Sequence, residues 1–472
     1  MLVGTLRPVV DMHQTPQDWQ LDSWTQRPAV QQPNYPDSQA LQQALTELSR
    51  LPPLVTSFEI DNLRQQLAEA QQAKRFVLQG GDCAESFADC QPDIIANRLK
   101  VLLQMSLVLV HGLGKPVTRI GRFAGQYAKP RSADMETRDG VSLPSYRGDL
   151  VNAPQFTENA RRPDPRRLIE GHVRSAMTIN FVRGLVDGGF ADLHHPEYWD
   201  LAWVEHAKLA AEYQARVDAI GDSLRFMETL AGGELHELSR VDFFTGHEAL
   251  LLHAEQAQTR TVPRKQGWYN LSAHYPWIGM RTAALDGAHL EYCRGIRNPM
   301  GVKIGPAMNK DWLLGLCEQL NPTQEPGRLS LIHRMGAPQI AEKLPPLIEA
   351  VQRAGHQVLW ICDPMHGNTQ STASGLKTRR FDDIQQELTQ AFAIHAQCGS
   401  ILGGVHLELT GENVTECVGG ARDLSEADLS RAYRSRVDPR LNYEQALELA
   451  LHIAQHKDCQ NSANAKAMET PR

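Results

Sequence analysis

The sequence predicts an α/β fold, a (β/α)8 TIM barrel with an N-terminal extension and a helical insertion after the second barrel strand. Eight short apolar runs alternate with longer stretches of helical periodicity over most of the 472 residues, which is the pattern of a parallel sheet whose strands are separated by helices. Each run also ends in polar or charged residues, as expected where the carboxyl ends of barrel strands form a functional face.

The eight runs predict the eight strands in order. They are RFVLQGG from Arg75, PVTRIGR from Pro116, VDFFTGHE from Val241, WYNLSAH from Trp268, MGVKIGP from Met300, RLSLIHR from Arg328, HQVLWICD from His356 and GGVHLELT from Gly403. Amphipathic stretches such as PQIAEKLPPLIEAVQRAG separate several of them and predict the barrel helices.

The chain outside these runs divides into additions to the barrel. Residues 1–72 are rich in Gln and Pro, with two helical patterns, and predict a partly helical extension. Residues 73–460 form the predicted catalytic barrel, and residues 461–472 a C-terminal tail. The segment between the second and third runs is far longer than one helix needs; residues 166–187 supply the barrel helix, and residues 192–238 predict an inserted helical pair with an oligomeric or regulatory role.

Composition narrows the class of protein. Hydrophobic residues make up 42% and charged residues 22% of the chain, which is typical of a globular protein. The net charge of −7 without a long basic block argues against a nucleic-acid partner. Eight scattered cysteines without a CxxC pair indicate free thiols.

The N-terminus lacks the pattern of a signal peptide, and no apolar run reaches the roughly 18 residues of a membrane span. We therefore expect a cytoplasmic protein without membrane contact.

The polar ends of the predicted strands should meet at one face of the barrel. A single polar strand end is unremarkable because loops are polar, but this set includes three cations. The residues that end or follow the runs are Cys83, Arg122, His247, Glu248, His274, Lys303, Arg334, Asp363, His366 and Glu408.

One hypothesis for this face is a metal site built from Cys83, His366, Glu408 and Asp438. Thiolate, imidazole and two carboxylates suit Mn²⁺, Co²⁺, Fe²⁺ or Zn²⁺ and suit Mg²⁺ or Ca²⁺ poorly. The four residues come from distant segments, so their spacing carries no ligand signature. A structural Cys after a Gly-Gly turn and an Asp that begins a turn before Pro439 explain two of them equally well.

A second hypothesis is an anion site. Its cations come from the loop GRFAGQYAKPRS and from strand ends: Arg122, Lys129, Arg131, Arg281, Lys303 and Arg334. Guanidinium groups grip phosphate or carboxylate with two parallel hydrogen bonds, and Lys adds a point charge. Any one Arg is usually a solvated surface residue, but a cation within or just after an apolar strand is costly unless an anion pairs with it.

With these residues in view, the chain closely resembles the type II 3-deoxy-D-arabino-heptulosonate 7-phosphate (DAHP) synthases. The resemblance runs from about residue 30 to about residue 455, in the family's order. It rests on long segments: FVLQGGDCAESF, RFAGQYAKPRS, SYRGDLVNA, LSAHYPWIGMRT, NPMGVKIGP, GHQVLWICDPMHGNT, HLELTGENVTECVGG and VDPRLN.

The resemblance implies a reaction and a role for each residue. The reaction is an aldol-type condensation of phosphoenolpyruvate with erythrose 4-phosphate, the first step of the shikimate pathway, by a metal-dependent transferase. The implied metal ligands are Cys83, His366, Glu408 and Asp438, with Mn²⁺ or Co²⁺ expected ahead of Zn²⁺ or Fe²⁺. The implied phosphoenolpyruvate residues are Arg122, the residue at position 280, Arg281, Lys303 and Arg334, and those for erythrose 4-phosphate are Lys129, Arg131 and Ser132. Lys129, His274 or a metal-bound water would supply the general acid, and the sequence does not choose among them.

Two departures from the family's pattern lie beside the phosphoenolpyruvate residues. Met280 stands where the family usually has Glu, and Ala307 where it usually has Asn. They motivate an alternative, the same chemistry on an amino-sugar phosphate or in a secondary-metabolite pathway such as phenazine or ansamycin precursor supply. A non-catalytic binding protein on the same barrel is a third reading, against which the metal quartet and the cation set both argue.

The family's larger members carry helical additions that bind aromatic amino acids. The resemblance therefore also implies an aromatic amino acid effector at residues 192–238 and the N-terminal extension. We expect a homodimer or homotetramer, with an oligomer contact as the alternative role of these additions.

Overall fold

The computed structural model describes residues 16, 18–188, 211–215, 218 and 242–456. Eight parallel strands close into a barrel, each beside its neighbour in sequence and the first beside the last. They are β1 (Phe76–Gly81), β2 (Val117–Arg122), β3 (Phe243–Glu248), β4 (Tyr275–Ile278), β5 (Met300–Ile304), β6 (Leu329–His333), β7 (Leu359–Cys362) and β8 (Leu402–Glu408). The predicted (β/α)8 barrel is confirmed.

Helices precede the barrel and follow each strand. They are α1 (Ser38–Arg50), α2 (Ser57–Gln71), α3 (Pro92–Leu113), the short α4 (Glu158–Arg161), α5 (Arg166–Asp187), α6 (Leu252–Ala257), α7 (Ala288–Gly295), α8 (Lys310–Leu320), α9 (Ile340–Arg353), α10 (Phe381–Gln397) and α11 (Tyr443–Ala454). The inserted helical pair predicted at 192–238 lies outside the described residues, apart from the helical residues 211–215 and 218.

Helix α3 is long and apolar enough, by length and composition alone, to cross a membrane. However, 67% of its most apolar window is buried inside the structure. The helix packs against α11, α5 and strand β2. The apolar character of α3 is therefore explained by its burial against the barrel wall and the neighbouring helices.

Helix α2 closes the amino end of the barrel. It begins at a capping box in which Thr56 and Glu59 bind each other's backbone N–H groups, which satisfies donors that would otherwise be orphaned at the helix start. Leu63, Leu67 and Ala70 recur at helical spacing and pack into the barrel interior. Part of the predicted N-terminal extension is thus part of the barrel core.

The prediction of the fourth strand is wrong. Residues Trp268–Asn270 pair antiparallel with Thr259–Thr261 in a small hairpin, and the barrel strand is the next segment, Tyr275–Ile278. This segment reads YPWI, and Pro276 removes a ladder hydrogen bond, so the pattern did not indicate a central strand. Consequently His274 precedes its barrel strand instead of ending it.

Candidate active site at the carboxyl end of the barrel

A pocket of about 590 Å³ opens at the carboxyl end of the barrel. Every barrel strand contributes to it, either at or near its last residue or through the loop that follows. The lining residues are Cys83, Arg122, Gln126, Lys129, Pro130, Glu248, Trp277, Gly279, Met280, Arg281, Lys303, Arg334, His366, Glu408 and Asp438. The structure therefore places the four predicted metal ligands and five of the predicted cations around one cavity.

The metal-ligand candidates lie close together. Ligand atoms of Cys83, Glu408 and Asp438 are all within 4.8 Å of one another, and His366 Nε2 is 3.0 Å from Glu408 Oε1. The Lys129 ammonium donates hydrogen bonds to both Cys83 and Asp438. Soft and hard donors converge here at the spacing a small divalent ion requires, so the residues fit a borderline transition metal.

Two ion pairs hold the loops that carry Cys83 and Asp438. Asp82, next to Cys83, binds Arg440, which lies two residues after Asp438, at 2.5 Å. Arg440 also donates to Glu416 at 2.8 Å, and all three of these side chains are buried. Gly81 makes the turn before them with φ of 143°, where a Cβ would meet the backbone of β2 at 2.9 Å. The local chain thus brings two distant segments to one site.

Glu408 is held at both carboxylate oxygens. Its Oε1 accepts from Arg122 at 3.0 Å, and its Oε2 accepts from Arg379 at 2.7 Å. Burial alone would raise the pKa of Glu408, but the charges of His366 and Arg379 outweigh burial and hold the pKa well below its usual range. The carboxylate is therefore ionised and fixed in orientation.

His366 is oriented by Asp363. Its Nδ1 lies 2.7 Å from Asp363 Oδ2, which leaves Nε2 facing Glu408. The same carboxylate accepts from the Lys303 ammonium. A carboxylate behind an imidazole is the usual arrangement of a metal-binding His, since it fixes the ring and the tautomer.

Two buried cations, Lys303 and Arg122, lie in the pocket wall. Burial lowers the pKa of Lys303 to about 8, with the nearby Asp363 opposing this shift. Arg122 also stacks its guanidinium over the Trp277 ring, 5.3 Å from the ring centroid. Both side chains lie in a pocket wall where an anionic ligand would offset the cost of burying their charge.

The rim of the pocket carries Arg334, Arg281 and Met280. Arg334 donates to the backbone carbonyl of His366 at 2.8 Å, and Arg281 donates to Ser132 at 2.9 Å. Met280 is half-buried, and its thioether flanks Gly305 together with the Arg334 side chain. The structure thus brings Met280 beside two of the cations.

Ser132 and Arg131 lie outside the pocket lining. The backbone of Arg131 is held at both its N–H and its carbonyl by the Gln31 side chain, at 2.9 and 3.0 Å. Ser132 contacts the pocket through Arg281, and Ala307 is exposed and is not among the lining residues. The extension therefore fixes the loop that carries Lys129, but the structure does not bring Arg131 or Ala307 into the cavity.

His274 does not join the site. Its Nδ1 accepts from the Thr245 N–H at 2.9 Å, and its Nε2 lies 3.8 Å from Glu59 on α2, the helix that closes the opposite end of the barrel. Burial lowers the pKa of His274, with Glu59 opposing the shift. The structure therefore places His274, one of the three candidates for the general acid, outside the residues that line the pocket.

Several residues in or behind the pocket were given no role from the sequence. Glu248 is half-buried, its Oε1 is enclosed without a hydrogen-bond partner among the described residues, and desolvation raises its pKa. Gly279 leaves room for it, since a Cβ there would come within 2.1 Å of that oxygen. Glu248 does end the third run, so its position was a signal. Trp277 lies in the unrecognised strand. Gln126 lies in RFAGQYAKPRS and Arg379 in GLKTRRFDDI, two segments that share the family's pattern, but neither residue was given a role of its own.

Fold and site together define a barrel enzyme for anionic substrates with a candidate metal centre at the carboxyl end of its strands. Comparison with known proteins identifies the family. The model of the Class-II DAHP synthetase family matches residues 19–454, and this chain belongs to that family.

Two curated relatives carry the same name. A phospho-2-dehydro-3-deoxyheptonate aldolase from Neurospora crassa is 50% identical over 454 residues, which cover 93% of this chain and 94% of the relative. One of the same name from Streptomyces coelicolor is 48% identical over 434 residues, which cover 92% of this chain and 96% of the relative.

Proposed function

We propose that this chain is a 3-deoxy-7-phosphoheptulonate synthase, a transferase that condenses phosphoenolpyruvate with erythrose 4-phosphate and water to give DAHP and phosphate in the shikimate pathway. The observation that carries the assignment is one pocket in which five cations surround a thiolate, imidazole and carboxylate group. Two phosphates and a carboxylate must share that pocket, and clustered cations both bind these groups and align them for reaction.

Phosphoenolpyruvate would lie against Arg122, Lys303, Arg334 and Arg281, beside position 280. The first three of these cations come from β2, from β5 and from the loop after β6, and Arg281 lies at the rim after β4. Erythrose 4-phosphate would lie on the side of Lys129, with its phosphate toward Arg131 and Ser132 at the rim. This arrangement separates the two phosphates and leaves the aldehyde end deep in the pocket.

The metal ligands would be Cys83, His366, Glu408 and Asp438, with Mn²⁺ or Co²⁺ as the expected ion. A divalent ion bound there supplies Lewis acidity to the aldehyde carbonyl. We assign Lys129 the role of proton donor to the sugar. Burial alone would lower its pKa, but the charges of Cys83 and Asp438 outweigh burial and raise it. The ammonium therefore holds a proton that it can donate to the former aldehyde oxygen, which becomes the new hydroxyl.

We assign Glu248 the role of orienting and deprotonating the water that adds at the phosphate-bearing carbon. That water must be oriented and must lose a proton as it adds. The Glu248 oxygen that has no partner among the described residues lies in the same pocket, and its raised pKa suits a carboxylate that accepts a proton.

The second candidate keeps this chemistry and changes the aldehyde. Met280 favours it, since a thioether replaces the family's usual carboxylate next to Arg281 and Arg334. An amino-sugar phosphate would bring a cation into a pocket lined by cations, which the charge of the lining opposes.

The test is an assay of phosphoenolpyruvate consumption against a panel of sugar-phosphate aldehydes, with the full chain stripped by chelator and resupplied with single metals. We expect consumption to need an aldehyde and a divalent ion, to prefer erythrose 4-phosphate, and to be lost in Cys83→Ala but kept in Cys90→Ala. A metal-replete chain that consumes no phosphoenolpyruvate with any aldehyde would overturn the proposal, and preference for the amino analogue would support the second candidate.

Regulation, assembly and location are part of the same proposal. We propose a cytoplasmic homodimer or homotetramer that an aromatic amino acid inhibits. The assay repeated with Trp, Phe and Tyr tests the effector, and sedimentation of the full chain tests the assembly.

A further inference from the structure

A second group of metal-binding side chains lies outside the active site. Ligand atoms of His333, Cys362 and Glu387 are all within 4.8 Å of one another, and all three residues are fully buried. His333 ends β6, Cys362 ends β7, and Glu387 lies on α10. The group therefore sits in the layer between the barrel wall and its helices.

The barrel wall separates this group from the active site. His333 and Cys362 are paired in register on neighbouring strands. Since successive side chains of a strand point to opposite faces, the residues that follow them, Arg334 and Asp363, face the pocket instead. Arg334 lines the pocket, and Asp363 binds Lys303 and His366 there. The two groups therefore lie on opposite faces of the barrel wall formed by β6 and β7.

The His333 ring is an independent sign of a missing ligand. Among the described residues neither of its ring nitrogens has a hydrogen-bond partner, although the ring is 0% exposed. His395 lies beside it, with ring centroids 5.5 Å apart. Its Nδ1 is 2.7 Å from Ser400 Oγ, and its Nε2 also has no partner. Unsatisfied polar groups in a core are rare and costly, and each one calls for a water or an ion.

The Glu387 carboxylate is held in place by hydrogen bonds from the protein. Glu387 accepts from the N–H groups of Met335 and Gly336 at 2.9 and 3.0 Å, and from Asn368 at 2.7 Å. These bonds fix its orientation without the help of an ion, as the partners around a metal-binding carboxylate usually do.

We propose that His333, Cys362 and Glu387 bind a second divalent ion of the zinc class, with the unpartnered His395 Nε2 as the candidate for the fourth position. Imidazole, thiolate and carboxylate in a closed, buried setting are the ligands of a structural site. The thiolate and the carboxylate neutralise the two charges of the ion, so the core carries no net charge there.

Burial favours the neutral, protonated forms of two of these ligands, the Cys362 thiol and the Glu387 carboxyl. Burial raises the pKa of the Cys362 thiol well above its usual value and that of Glu387 to about 8. Binding therefore exchanges protons for the ion. Since the group has no exposed surface, we expect the ion to enter during folding and to stay when a chelator strips the active site of the folded chain.

The experiment uses the full chain with Cys83→Ala, which removes the active-site thiolate. After refolding with Co²⁺, we expect this chain to show a thiolate-to-cobalt charge-transfer band that dialysis against chelator does not remove. The band should vanish in Cys83→Ala/Cys362→Ala and persist in Cys83→Ala/Cys317→Ala, where the control thiol is equally buried on α8.

A second variant covers the case in which the double variant does not fold. Glu387→Gln preserves the shape and an acceptor for the backbone N–H groups but removes the charge. We expect it, in the Cys83→Ala background, to lose the ion measured by elemental analysis while circular dichroism stays unchanged. A folded Cys83→Ala chain that carries neither the band nor a retained ion overturns the proposal and leaves an ordered water as the occupant. Neither readout depends on the catalytic assignment.

Discussion

Arg379 donates a 2.7 Å hydrogen bond to Glu408, and both side chains are 0% exposed. Arg379 also donates to the carbonyl of Pro439, the residue after Asp438. One guanidinium thus positions two of the proposed metal ligands, and burial makes its replacement costly, since a buried charge that loses its partner is strongly unfavourable.

Arg379→Lys should therefore weaken metal binding. A Lys cannot reach both acceptors with a planar fork, so we expect about a 10- to 100-fold loss of metal affinity, which excess metal largely restores. Metal titration of the stripped chain measures it. Arg380→Lys, at the exposed neighbouring position, is the matched control. Unchanged affinity with a lower rate at saturating metal would assign Arg379 to the chemistry instead.

Lys303 should impose a pH limit on phosphoenolpyruvate binding. Burial lowers its pKa from the ordinary 10.5 to about 8, so in the folded chain the ammonium loses its proton above about pH 8. The neutral amine cannot pair with the substrate's anions, and kcat/KM for phosphoenolpyruvate should fall by up to about tenfold per pH unit there.

The charged form is favoured by bound substrate, so kcat should fall at a higher pH than kcat/KM. Lys303→Arg keeps its charge at all these pH values and should remove the decline between about pH 8 and 10. The pH profiles of both chains decide the point. An identical decline in the variant would place the titration on another group.

Glu248→Gln tests the proposed role in water addition. The amide preserves the shape but cannot accept a proton, so we expect kcat to fall by about 10²- to 10⁴-fold with little change in metal affinity. Rapid quenching should show less phosphate released per phosphoenolpyruvate bound. A fall in metal affinity of similar size would show that Glu248 acts on the metal site.

Met280→Glu tests the departure at the pocket rim. A carboxylate there comes within reach of Arg281 and Arg334 and competes with the substrate for them. We expect KM for phosphoenolpyruvate to rise by about 3- to 10-fold with kcat unchanged, which corresponds to roughly 1 kcal/mol of lost binding. Met280→Gln, which has the same length without the charge, should change neither. A higher kcat in the Glu variant would mean that the carboxylate takes part in the reaction.

His274→Phe tests whether the ring near α2 is structural. The variant fills the same volume but leaves the buried Thr245 N–H without its acceptor, so the free energy of unfolding should fall by about 1–3 kcal/mol. Since His274 lies away from the pocket, kcat should stay within about twofold. Denaturant unfolding and steady-state assays measure the two effects, and a large loss of kcat in stable protein would return His274 to the reaction.

The barrel was predictable because its signals are local. Apolar runs such as MGVKIGP and RLSLIHR and the helical stretches between them follow from the periodicity of buried strands and amphipathic helices. The prediction of the fourth strand is wrong because this strand lacks a clear local signal. Pro276 interrupts its pattern, and its place in the barrel is set by its pairing with β3.

The candidate site was predictable only in part. Strand-end residues such as Lys303 and Glu408 are visible as polar positions after apolar runs, and the family resemblance linked the four metal ligands. Arg379 ends a short hairpin strand and Gln126 lies in a loop. No such pattern marks either residue, because their contacts to Glu408 and Glu248 come from segments far away in the chain.

The sequence by itself determined the fold class, the family and the residue types that can meet at the carboxyl end of the strands. Only the tertiary structure decided that Glu408 is held by Arg379, that Glu248 faces the pocket and that His274 faces α2. The physical reason is that periodicity reports which face of an element is buried, whereas the partner of a buried charge is set by the closing of the barrel and the register of its strands.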